Sequence, residues 1–173
     1  MIDNSNPHRL SELVVPENYK IILEPNLNEH TFNGEVNIII DVINNIDQII
    51  INSAELLIKS VELFSENNNK VGIKNFSNDE TLERLTIFLK EEIQNGRYQL
   101  NIVFSGILND KLRGFYRSEF VDEDGKKHII ATTQFESTHA RRAFPCFDEP
   151  LFKATFDISL IVPKDQYVVS NSP

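Results

Sequence analysis

The 173-residue sequence has no tryptophan, one methionine, six glycines and a single cysteine, Cys146. One thiol excludes an internal disulfide and suits a reducing compartment. No apolar run approaches the roughly 18 residues that a membrane-spanning helix needs, so no membrane partner is expected. Basic residues are the minority, 17 against 26 acidic, giving a net charge of −9. A nucleic-acid partner is excluded on that ground, because a phosphate backbone calls for a clustered basic face. The opening Met1-Ile2-Asp3-Asn4-Ser5-Asn6-Pro7 has neither the basic start nor the apolar core of a secretory signal. A cytoplasmic protein is the expectation, and the Asn75-Phe76-Ser77 acceptor sequence should stay unglycosylated.

The compact signatures of catalysis are also missing. The histidines are His8, His30, His128 and His139, and none has a second histidine three or four residues away. A zinc helix of the His-Glu-x-x-His type is therefore absent, and no glycine-rich phosphate cradle occurs. Ser137, His139 and Asp148, or Cys146 with His139, contain the residue types of a nucleophilic site. Triads are defined by geometry, however, and proximity in sequence does not aim these groups at one another. Cys146 reads more simply as a small buried hydrophobe.

What is abundant is period-two alternation. Val36, Ile38, Ile40 and Val42 alternate with polar neighbours, as do Tyr98, Leu100, Ile102 and Phe104, and, more briefly, Leu85, Ile87 and Leu89. The clearest run comes late, with Phe152, Ala154, Phe156, Ile158, Leu160 and Val162 on one face. Tyr19–Leu23 and Gln48–Ile51 are β-branched segments of strand length. Between Ala54 and Phe64 the spacing Leu56, Ile58, then Val61, Leu63 predicts strand with a slip. Asp124-Gly125 marks a hairpin, while Asn33-Gly34, Asn95-Gly96 and Asn67-Asn68-Asn69 mark other loops. About nine short strands, with twelve phenylalanines to fill an interior, predict one all-β sheet or sandwich. The last residues, Val168 to Pro173, are extended and then broken, which would leave a sheet edge unpaired; further chain is expected beyond them.

The chemically dense stretch is Thr132 to Pro150. On a strand, Thr132, Gln134 and Glu136 share one face, with Thr133 and Phe135 on the other. Gln134 and Glu136 then present an amide and a carboxylate side by side, a pair suited to an ammonium group. A peptide α-amine, with pKa about 7.7–8.0, is largely cationic near neutrality. The structural alternatives are a solvated sheet face, or Glu136 paired with Arg141 or Arg142. Those arginines, with Asp148 and Glu149, are expected to form ion pairs that tie down the Phe144-Pro145-Cys146-Phe147 loop.

Three segments together resemble the M1 family of zinc aminopeptidases: Thr133–Glu136, Ala140–Pro150 and Phe152–Ile158. Leu108–Ser118 resembles the puromycin-sensitive branch of that family. The resemblance implies a mostly antiparallel, saddle-like N-terminal β-domain over residues 9–173, C-terminally truncated, after a flexible segment 1–8. It further implies an activity that removes residues from free peptide N-termini. Zinc and the catalytic residues would lie in a downstream domain, so no cofactor is expected in this chain. Carried over, Glu136 would help bind the substrate ammonium and Gln134 would line the first substrate pocket. Peptide N-termini and the downstream catalytic domain are the implied partners. The competing expectation is a stand-alone, non-catalytic β-domain that binds peptides or a protein.

Overall fold

The computed structural model describes residues 9–171. The expected flexible segment 1–8 lies outside the described residues, as do Ser172 and Pro173. The strands are β1 (Val14–Asn26), β2 (Thr31–Val42), β3 (Ile46–Asn52), β4 (Leu56–Ser65), β5 (Lys70–Val71), β6 (Ile73–Asp79), β7 (Arg84–Ile93), β8 (Gly96–Ile107), β9 (Gly114–Val121), β10 (Lys127–Gln134) and β11 (Thr155–Leu160). A single turn of 3-10 helix spans Ala140–Arg142. The fold is all-β, as the alternation predicts.

A six-stranded sheet runs β11-β1-β2-β8-β4-β5, and a three-stranded sheet runs β3-β7-β6. The strands β9 and β10 form a separate two-stranded ribbon. Neighbours pair antiparallel except β1 with β11, which are parallel. The alternating residues of β2 and β8 meet those of β3 and β7 in one core. Val36, Ile38, Ile40, Leu100, Ile102, Ile49, Ile51, Leu85 and Ile87 have no measurable exposure. Each such side chain contributes about 1.5–3 kcal/mol through removal from water. Among the described residues no helix is long and apolar enough to cross a membrane.

The strand over Leu56–Ser65 carries the anticipated slip: its register against β8 shifts between Ile58 and Ser60. The Asp124-Gly125 hairpin also forms, joining β9 to β10 with Gly125 at φ 79°. Two expectations need correction. Asn33-Gly34 is no loop; it lies inside β2, where Gly34 faces Phe104 of β8. The phenylalanine ring occupies the space that a side chain at position 34 would need. Phe32 makes the reciprocal arrangement over Gly106. Second, β5 and β6 add to the nine strands anticipated. Their pattern was hidden because the register slips between Ile73 and Asn75, so that the two inward residues, Ile73 and Phe76, stand three apart.

The late apolar run is covered only in part: Phe152, Ala154 and Leu160 pack against the core, and the middle of the run does not. β11 is an edge strand whose Phe156 and Ile158 are each 47% exposed. They register with the buried Tyr19 and Ile21 of β1, and the Phe156 ring stacks on Tyr19 at 4.9 Å. Alternation reports that one face is apolar; it does not report whether a second layer reaches that far.

Gly34→Ala tests the packing at the sheet centre. In an ordinary strand this change stabilises by about 0.5–1 kcal/mol. Here the added Cβ would stand 2.3 Å from Phe104 Cζ in a fully buried site. Overpacking wins, and urea unfolding should show a loss of about 1–3 kcal/mol.

Candidate functional site

Beyond Gln134 the chain leaves the β9–β10 ribbon and turns through a cis Glu136–Ser137 peptide into the 3-10 turn at Ala140–Arg142. From there to Pro150 it has no regular structure, so its backbone groups need partners from elsewhere. The end of β3 supplies them. Asn52 and Cys146 exchange two backbone hydrogen bonds, of 2.8 and 3.0 Å, and Ala54 N–H donates to the Arg141 carbonyl at 3.0 Å. The buried Asn52 side chain accepts from Asp148 N–H at 3.1 Å. Tyr19 Oη accepts from Phe147 N–H at 3.1 Å, and burial, with Cys146 beside it, pushes that phenol far above its usual range. The loop is thus stitched to both sheets.

Charges complete the attachment. Arg141 Nε donates to Asp148 at 2.9 Å, and its Nη1 donates to Glu83 at 3.2 Å. Arg142 Nη2 donates to the other oxygen of Glu83 at 2.5 Å. Arg9 pairs with Glu149 at 2.6 Å. The expected ion-pair network therefore exists with different partners: Arg141 takes Asp148, but Glu149 takes Arg9, and both arginines converge on Glu83. Burial acts to raise the Glu83 pKa, yet the hydrogen bonds and charges of Arg142 and Arg141 outweigh it and hold the carboxyl below the usual range. Glu83 lies 58 residues before Arg141. It sits in a polar turn that gives no local signal of its role. Asn52 had one faint signal, as the polar residue that closes Ile49-Ile50-Ile51.

Gln134 ends β10 opposite Gly114, on the ribbon face that also carries Thr132. Phe135 turns inward and meets Phe144 edge to face at 5.9 Å. Gln134 and Glu136 are exposed. Among the described residues neither side chain makes a hydrogen bond or ion pair. Glu136 does not pair with Arg141 or Arg142, because Glu83 and Asp148 hold those arginines. The nucleophile readings find no support in the geometry. Asp148 is engaged by Arg141, and His139 Nδ1 is buried with no partner among the described residues. Cys146 is buried, and that burial, with Asp148 nearby, raises its thiol pKa well above the usual range.

Residues 15–173 match the family described as the Peptidase M1 N-terminal domain. The chain belongs to that family. It is 42% identical over 163 residues to puromycin-sensitive aminopeptidase of Caenorhabditis elegans, covering 94% of this chain and 17% of the relative. It is 39% identical over 176 residues to aminopeptidase M1 of Arabidopsis thaliana, covering 95% of this chain and 19% of that one. Aminopeptidase N of Bos taurus is 35% identical over 192 residues, covering 99% and 19%. The chain thus spans less than a fifth of the length of these relatives. Within this M1 N-terminal domain, no group of three or more His, Cys, Asp or Glu among the described residues could hold a metal. Among the described residues the donors do not fit a zinc ion.

The low pKa of Glu83 has a consequence in acid. A carboxyl depressed by folding stabilises the native state above its ordinary pKa of about 4.3, and that contribution fades as pH falls through the folded value. Glu83→Gln should be less stable than the parent at neutrality, and the gap should shrink steadily below about pH 4.3. Thermal melts of both proteins across that range check it.

Proposed function

We propose that this chain is the substrate-anchoring N-terminal domain of a zinc aminopeptidase that releases residues from the free N-termini of peptides. Glu136 receives the peptide ammonium, and Gln134 lines the pocket for the first side chain. One observation carries this reading. In a chain whose relatives are aminopeptidases, Glu136 is an exposed carboxylate unclaimed by the arginines five and six residues away. An anionic group held on a braced segment and left without an internal partner is suited to an external cation. A charge-assisted contact of this kind is the strong form of hydrogen bond.

The metal and the activation of water are assigned to the part of the protein outside these 173 residues, and no residue described above takes a step in that chemistry. The partners on this reading are peptide N-termini and that catalytic portion. The free, buried Cys146 supports a reducing, cytoplasmic setting.

Two measurements test the proposal. The 173-residue chain, purified alone, is expected to give no chelator-sensitive hydrolysis of aminoacyl arylamides; such hydrolysis would overturn the division of labour. In the full-length enzyme, Glu136→Ala should raise KM and lower kcat/KM. Loss of a hydrogen bond to a charged group costs about 1.5–3 kcal/mol, a factor of about ten to a hundred. Unchanged kinetics would remove Glu136 from the site.

A further inference from the structure

We infer that Glu83, on the turn between β6 and β7, is a positioning residue for Gln134–Glu136 and acts on them through Arg142. The inference rests on the amine-binding reading of Glu136 and goes beyond it.

Two short routes join the groups. Arg142 is only 9% exposed, and Glu83 at 2.5 Å is its near anion, with Glu55 standing off at 3.8 Å. The Arg142 Cβ presses against Gly114, where an added methyl would come within 2.6 Å of it. Gly114 is the ladder partner of Gln134, so the first route is Glu83, Arg142, Gly114, Gln134. The second route is backbone. Arg142 N–H donates to the His139 carbonyl at 3.1 Å, and His139 N–H donates to the Phe135 carbonyl at 2.8 Å, between Gln134 and Glu136.

Glu83 is itself fixed. Its carbonyl accepts from Ser53 N–H at 2.9 Å, and its backbone adopts φ 53°. Arg142 Nε and Nη1 have no hydrogen-bond partner among the described residues, so Glu83 supplies most of the compensation for this buried charge. A guanidinium left without its anion is driven toward water. Displacement of Arg142 would disturb its contacts with Gly114 and His139, which adjoin Gln134 and Phe135. Position 83 therefore tunes the placement of Glu136 without touching substrate.

The test uses the full-length aminopeptidase with a free-amine leucyl arylamide and the variants Glu83→Gln, Glu136→Gln and their combination. Glu83→Gln should raise KM three- to tenfold while leaving kcat within twofold. The double variant should show a KM below the product of the two single effects, because much of the Glu83 effect runs through that carboxylate. A purely structural role would lower the melting temperature and leave KM unchanged. Three results overturn the inference while leaving the amine-binding reading intact, provided Glu136→Gln raises KM: no KM change in Glu83→Gln, a large fall in kcat, or two KM effects that multiply. No KM change in Glu136→Gln overturns the underlying reading, and the inference with it. If Glu83→Gln does not accumulate as folded protein, Glu83→Asp keeps the charge one methylene short. It should give a smaller KM rise in the same assay, and an unchanged KM there overturns the inference equally.

Discussion

The convergence of Arg141 and Arg142 on Glu83 is the constraint on which the irregular half of this molecule depends. Buried arginines are costly unless an anion compensates them, so two adjacent guanidinium groups force the chain to bring a carboxylate to them. The carboxylate comes from a turn of the small sheet, and the arginines from a loop that follows the ribbon. Their meeting closes a corner in which β3, the β6–β7 turn, the loop and Gly114 all touch. Once the corner is closed, Asn52 and Tyr19 can satisfy the backbone of a segment with no ladder of its own. Without it, the exposed carboxylate at Glu136 would stand on a free loop.

The regular half is held differently. Apolar faces of two sheets meet without charge, and two phenylalanines lie over glycines on the facing strands of β2 and β8. The core ends before β11, where the sheet continues but its cover does not. Natural sheets seldom leave an apolar edge of this kind bare. The rigid layers give the ribbon a base, and the charged corner sets where its end lies. The apolar layers and the charged corner thus rest on separate forces, and the Arg142 contact with Gly114 joins them.

Much of the fold was legible because alternation of period two survives in the sequence wherever one face is buried. β2, β7, β8 and the slipped β4 follow from it directly. β6 was illegible because a bulge spaced its inward residues by three, and Gly34 misled because its partner ring lies 70 residues away. The late alternating run was legible as strand, but alternation carries no information about whether a second layer covers it. At the candidate site the alternation reaches Gln134, which ends β10, whereas Glu136 lies beyond the strand. Glu83 was not legible, because ion pairs between distant segments leave no periodic trace. The expected partners Asp148 and Glu149 were the near carboxylates in sequence; the loop instead spends only Asp148 on Arg141.

The central claim is that one charged corner holds the whole loop, and native-state hydrogen exchange on the 173-residue chain tests it most directly. The amides of Asn52, Ala54, Cys146, Phe147 and Asp148 carry the stitches between loop and sheets. In the parent chain they should be protected as a group. Arg142→Met, which removes the guanidinium and keeps the stem, should release all five together while Ile38 and Leu100 in the sheet centre stay slow. Protection of the five that is unchanged by Arg142→Met, or lost one amide at a time, would contradict the account.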